Sequence, residues 1–111
     1  MKYQVTLRVQ LQEEKWVAMG EDHIILWDIR DLVAASSGWV VLNQKNIGLA
    51  DAFIPVLEKG LWELTQHTHV YDDYEISYGP GTISDTTIFY RNLLKDCKEH
   101  PFTELYGSVV A

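Results

Sequence analysis

The chain of 111 residues carries 16 Asp and Glu against 9 Lys and Arg, a formal charge of −7. That length suits one domain over residues 1–111, and 47% hydrophobic content with only 3 Pro and 7 Gly excludes disorder and collagen-like repeats. A single cysteine, Cys97, excludes a disulfide framework and a thiolate zinc cluster.

The first segment has the cleanest periodicity. Tyr3, Val5, Leu7, Val9 and Leu11 alternate with Gln4, Thr6, Arg8 and Gln10 over residues 3–11. One apolar and one wet face predict a strand of an antiparallel sheet that is covered on one side. Glu13 and Glu14 make a turn, and Trp16–Met19 returns as a hairpin partner ending before Gly20. Residues 22–38 admit two readings. In the favoured one, His23–Trp27 is a third strand and Asp28 caps a short helix over Ile29–Ser36. In the other, Asp22 caps a single helix that runs to Ser37 and stops at Gly38. Trp39–Leu42 then reads as a short buried strand.

Phe53, Val56, Leu57, Leu61 and Leu64 recur at helical steps, which predicts a helix over 51–66 with one apolar face. Pro55 is tolerated only in a first turn, so the start falls near Asp51, a natural cap. Gly60 within this helix costs about 1 kcal/mol relative to Ala, which points to a close packing contact. Residues 69–78 form an irregular strand or an aromatic loop closed by Gly79-Pro80-Gly81. A second helix runs from about Asp85 to Glu99, capped by Ser84 or Asp85. Phe89, Tyr90, Leu93 and Cys97 face inward, and Pro101 prevents continuation. Leu105–Val110 is a last short strand. Together these elements predict an α+β domain, a mainly antiparallel sheet of four or five strands with two main helices on one face.

A membrane helix needs about 20 apolar residues, and the longest uncharged run, Leu32–Gln44, has thirteen. The start of the chain lacks the apolar core of a signal peptide, so with a lone thiol the expected compartment is the cytosol. The acidic balance opposes binding nucleic acid through phosphates and suits a basic partner.

Few residues suggest catalysis. His67 and His69 have alternate spacing, and with Asp72 they could serve a metal or a small enzyme. The plainer reading is a polar exit from the helix ending near Gln66. Cys97 and His100 lie three apart, but the thiol falls on an apolar face, which suits a buried hydrophobe better than a nucleophile. No catalytic residue, metal or cofactor is therefore expected.

The informative feature is a stretch without positive charge. No Lys or Arg occurs in the 31 residues between Lys59 and Arg91, yet Glu63, Asp72, Asp73, Glu75 and Asp85 give it −5. Within it Tyr71, Tyr74 and Tyr78 interleave with Asp72, Asp73 and Glu75, and Trp62 lies about 100° from Leu61, beside the core face. Rigid rings and carboxylates that receive Arg are what a surface needs to hold a basic protein. Trp62, Glu63, Tyr71, Asp72, Asp73, Tyr74, Glu75 and Tyr78 are thus the expected partner-binding residues. The alternative is a half-buried edge whose tyrosines pack inward and whose acids are merely solvated. Glu13 with Glu14, and Asp28 with Asp31, are the other acidic pairs.

A resemblance adds to this reading. The run Ile54-Pro55-Val56-Leu57-Glu58-Lys59-Gly60-Leu61-Trp62-Glu63-Leu64 comes first, followed by Tyr71, Tyr74, Gly79 and Gly81-Thr82. Phe89-Tyr90-Arg91-Asn92-Leu93-Leu94-Lys95-Asp96-Cys97 and Pro101 complete it. Over residues 47–111 this pattern resembles small bacterial immunity proteins of contact-dependent and polymorphic toxin systems. The resemblance implies a cytosolic antidote, without catalytic activity, that binds a cognate toxin domain. Toxins of such systems are frequently nucleases or tRNases, and a domain that grips phosphate tends to be basic. The expected mechanism is occlusion of the toxin's active site. The competing expectations are a phage-type acidic nucleic-acid mimic and the small enzyme using His67, His69 and Asp72.

Overall fold

The computed structural model describes residues 1–41, 45–75 and 82–110. In chain order these form β1 (Lys2–Gln12), β2 (Lys15–Leu26), a 3-10 turn (Trp27–Ile29), α1 (Arg30–Ser37), β3 (Lys45–Leu49) and α2 (Ala50–Gln66). A longer 3-10 turn (Thr68–Tyr74), α3 (Ile83–Glu99) and β4 (Glu104–Val110) follow. The fold is α+β, as expected, with four strands in one antiparallel sheet of order β2-β1-β4-β3.

The alternation read in β1 sets which face is covered. Tyr3, Val5 and Leu7 are buried, and with Leu105 of β4 they join Leu57, Leu64, Leu93 and Cys97 of α2 and α3 in one core. Thr6, Arg8 and Tyr106 stay half-exposed on the outer face. There the Arg8 guanidinium lies 4.2 Å from the Trp16 ring and 3.9 Å from the Tyr106 ring, and donates to Asn46 Oδ1 at 2.7 Å. Trp39 fills the middle of the core, 4.9 Å from Phe53 and 6.3 Å from Phe89.

The register explains the first difference from expectation. Val5 pairs with His23 but Leu7 pairs with Met19, so β2 holds two extra residues opposite Thr6. Gly20, at φ 74°, does not end the strand; it opens a bulge, and both halves of β2 pair with β1. The two strands expected over 16–19 and 23–27 are therefore one.

Other boundaries move for similar reasons. Residues 39–41 form no strand, Leu42 lies outside the described residues, and the third strand is Lys45–Leu49. Of the two readings of 22–38 the short helix holds, but Asp28 does not cap it. Asp28 lies within the 3-10 turn, α1 starts at Arg30 behind Ile29 with no side-chain cap, and it stops where Gly38 takes φ 83°. α2 starts at Ala50, behind Leu49 rather than an Asp51 cap. Its first N–H groups instead reach the carbonyls of Thr103 (2.8 Å) and Pro101 (3.2 Å), so the loop before β4 supplies the cap. α3 is capped by Thr82, whose hydroxyl accepts from Asp85 N at 3.0 Å, not by Ser84 or Asp85. Among the described residues no helix is long and apolar enough to cross a membrane.

Candidate functional site

The acidic, aromatic segment lies over the C-terminal end of α2. Seven residues, Thr68–Tyr74, wind into a 3-10 turn rather than a strand. The Thr68 hydroxyl starts it by donating to the Leu64 carbonyl at 2.7 Å, which folds the chain back onto the helix. Tyr71 anchors it: the side chain is 6% exposed and its hydroxyl donates to Glu63 Oε1 at 2.5 Å. The hydrogen bond to Glu63, helped by burial, pushes the Tyr71 hydroxyl up to about 12.

This arrangement sorts the eight residues singled out from the sequence. Trp62 (55%) and Tyr74 (43%) are exposed, as are Asp72 and Asp73. Val70, 71% exposed, adds an apolar side chain that the sequence pattern did not mark. Tyr71 and Glu63 hold the turn from beneath, so Tyr71 is a support rather than a contact surface. Glu75 is exposed yet engaged, because its Oε2 accepts from Ile83 N at 2.8 Å at the start of α3. Tyr78 lies outside the described residues.

The histidines of the same region part company. His67 meets Trp62 edge-on, with ring centroids 4.9 Å apart. His69 Nδ1 lies 3.4 Å from Asp72 Oδ2, both side chains being exposed. Among the described residues His67, His69 and Asp72 do not form a three-ligand group. The charge pattern is also altered by the fold. Arg91 of α3 lines a shallow groove together with Asp72 and Glu75, so a cation remote in sequence borders one edge of the acidic patch.

A second region was not marked in the sequence. β2 and α3 flank a cleft of about 410 Å³ lined by Glu21, His23, Lys95, Asp96, Glu99 and His100, among others. At its base, His23 (6% exposed) projects from the core face of β2 opposite Val5. Its Nε2 lies 2.6 Å from Asp96 Oδ2. The bulge turns the Glu21 N–H toward α3, where it donates to the same oxygen at 3.1 Å. Burial alone pushes the Asp96 carboxyl upward, but these two donors and the nearby imidazoles outweigh it and hold the group below its ordinary value. One hint was legible: a histidine at an inward position of a strand needs a polar partner. Which partner it finds was not legible, because Asp96 is 73 residues away.

Cys97, beside Asp96, is fully buried. Burial, with the Asp96 carboxylate adding to it, pushes the thiol up to about 12, which opposes a nucleophilic role. Comparison of this chain with family models, with curated proteins and with solved structures finds no match in any of the three.

Proposed function

We propose that this chain is a cytosolic immunity protein that binds a cognate toxin domain, a basic nuclease or tRNase, and occludes its active site. One observation carries the reading. Val70 and Tyr74 stand exposed on one buttressed turn beside the exposed carboxylates of Asp72 and Asp73, and Trp62 is exposed on α2, the helix against which that turn packs. Exposed aromatic anchors amid carboxylates supply what a basic protein surface requires: contact area with little side-chain entropy to lose, and acceptors for Arg. The Tyr71–Glu63 hydrogen bond supports the same reading, because a preorganised turn loses less freedom on binding. The net charge of −7 speeds encounter with a positive partner.

The test is the double substitution Asp72→Lys and Asp73→Lys. Both side chains are exposed, so the fold is expected to persist by circular dichroism. Removing carboxylates that become desolvated against Arg costs about 2–5 kcal/mol, which is about 30-fold or more in affinity, and protection against the toxin is lost. Salt slows association of the parent, since exposed charges are screened over about 8–10 Å. A folded double variant that still binds and protects like the parent would overturn the assignment. It would move the interface to Glu13 and Glu14 or to Asp28 and Asp31.

A further inference from the structure

We infer that the C-terminal end of α3 carries a binding site for one divalent transition-metal ion, formed by Asp96, Glu99 and His100. The spacing i, i+3 and i+4 brings these three side chains to one face of the helix end. Their ligand atoms all lie within 4.8 Å of one another. An ion bonded to nitrogen and oxygen at about 2.0–2.2 Å holds its donors up to about 4.4 Å apart, so small rotations of the exposed Glu99 close the set.

Three features of the surroundings favour an ion there. First, Asp96 is oriented from behind, since the Glu21 N–H (3.1 Å) and His23 Nε2 (2.6 Å) both converge on Oδ2. That leaves Oδ1 for a further partner. Fixing a ligating carboxylate through outer hydrogen bonds is how proteins preorganise metal sites. Second, β2 passes close against the carboxylate. The facing residue is Gly20, where a Cβ would stand 2.8 Å from Asp96 Oδ2 and 3.2 Å from Oδ1, so any other residue would intrude upon the carboxylate. The cleft of about 410 Å³ between β2 and α3 leads to the same atoms. Third, the free carbonyls at a helix C-terminus favour a cation. Among the described residues Lys95 is the one Lys or Arg that lines this cleft, and it is exposed.

One imidazole with two carboxylates selects zinc, manganese, iron(II) or nickel over calcium, which prefers an all-oxygen shell. The site is distinct from His67 and His69, and it does not depend on the toxin-binding reading.

Titration of the metal-free full chain with Zn²⁺ by calorimetry, and with Co²⁺ followed by visible absorption, tests it. One ion per chain is expected. Glu99→Gln and His100→Ala should each weaken binding tenfold or more, and the double change His67→Ala and His69→Ala should leave it unchanged. Glu99 is exposed, so Glu99→Gln reads ligation without disturbing the core even if His100→Ala proves less stable. Three results would overturn the site: no stoichiometric binding, undiminished binding in both variants, or loss confined to the His67 and His69 double change.

Discussion

Gly60 of α2 lies directly beneath the ring of Tyr90 on α3, so that a Cβ on residue 60 would stand 2.6 Å from Tyr90 Cζ and 2.8 Å from Cε2. The contact accounts for a glycine in mid-helix. Tyr90 has no freedom to retreat, because its hydroxyl meets Ser36 Oγ at 2.7 Å and donates to the Val33 carbonyl at 3.2 Å. The same glycine lets α1, α2 and α3 approach closely, since Ser37 Cβ would be only 3.0 Å from the added carbon.

Gly60→Ala therefore sets two effects against each other. Helix propensity gains about 1 kcal/mol, while forcing a methyl into a packed interface costs about 1–3 kcal/mol or more. With the ring fixed by two hydrogen bonds, packing wins, and the variant should be less stable by about 1–2 kcal/mol. A urea melt reads this as a lower midpoint at unchanged slope. A midpoint equal to or above the parent's would show that the helices can separate without loss.

The tyrosines make stability depend on alkaline pH. Burial pushes Tyr3 up to about 12, the hydrogen bond to Glu63 and burial push Tyr71 up to about 12, and burial raises Tyr90. A group whose proton is held more tightly in the folded state stabilises fully below its ordinary value of 10. That contribution disappears as pH rises through the folded value, about 12 for Tyr3 and Tyr71. Absorbance titration near 295 nm should show two phases, with the late phase coinciding with loss of the fold. Tyr71→Phe should remove part of the late phase and cost about 1 kcal/mol at neutral pH. A single phase centred at 10 would contradict these environments.

Cys97 is inaccessible in the native state. A thiol reagent at pH 8 should modify it only at the rate of unfolding, and at once in denaturant. Rapid modification of the folded chain would mean that the last turns of α3 open, and would return Cys97 to consideration as a nucleophile.

How much was legible in the sequence follows from what each feature depends on. The β1 alternation and the apolar stripes of α2 and α3 are written in the chain itself, because a strand or helix must present one face to the core. Tyr3, Val5, Leu7, Leu57, Leu64, Phe89, Tyr90, Leu93 and Cys97 proved buried as expected, whereas the alternation fades toward the hairpin, where Val9 is half-buried and Leu11 is 61% exposed. The exposed acids Asp72 and Asp73 were equally plain. Other features rest on partners far along the chain. β2 stays one strand across Gly20 because β1 supplies hydrogen bonds on both sides of the bulge. β3 is short, and its pairing comes from β4, nearly sixty residues on. Tyr71 turned inward only because Glu63 of the preceding helix came within reach of its hydroxyl. His23 found Asp96, and Arg91 came to border the acidic patch, through the packing of α3 against β2 and against the Thr68–Tyr74 turn. Local periodicity determined which faces are buried. Only tertiary packing decided which polar groups meet, since a hydrogen bond or ligand set depends on distances that the neighbouring sequence does not encode.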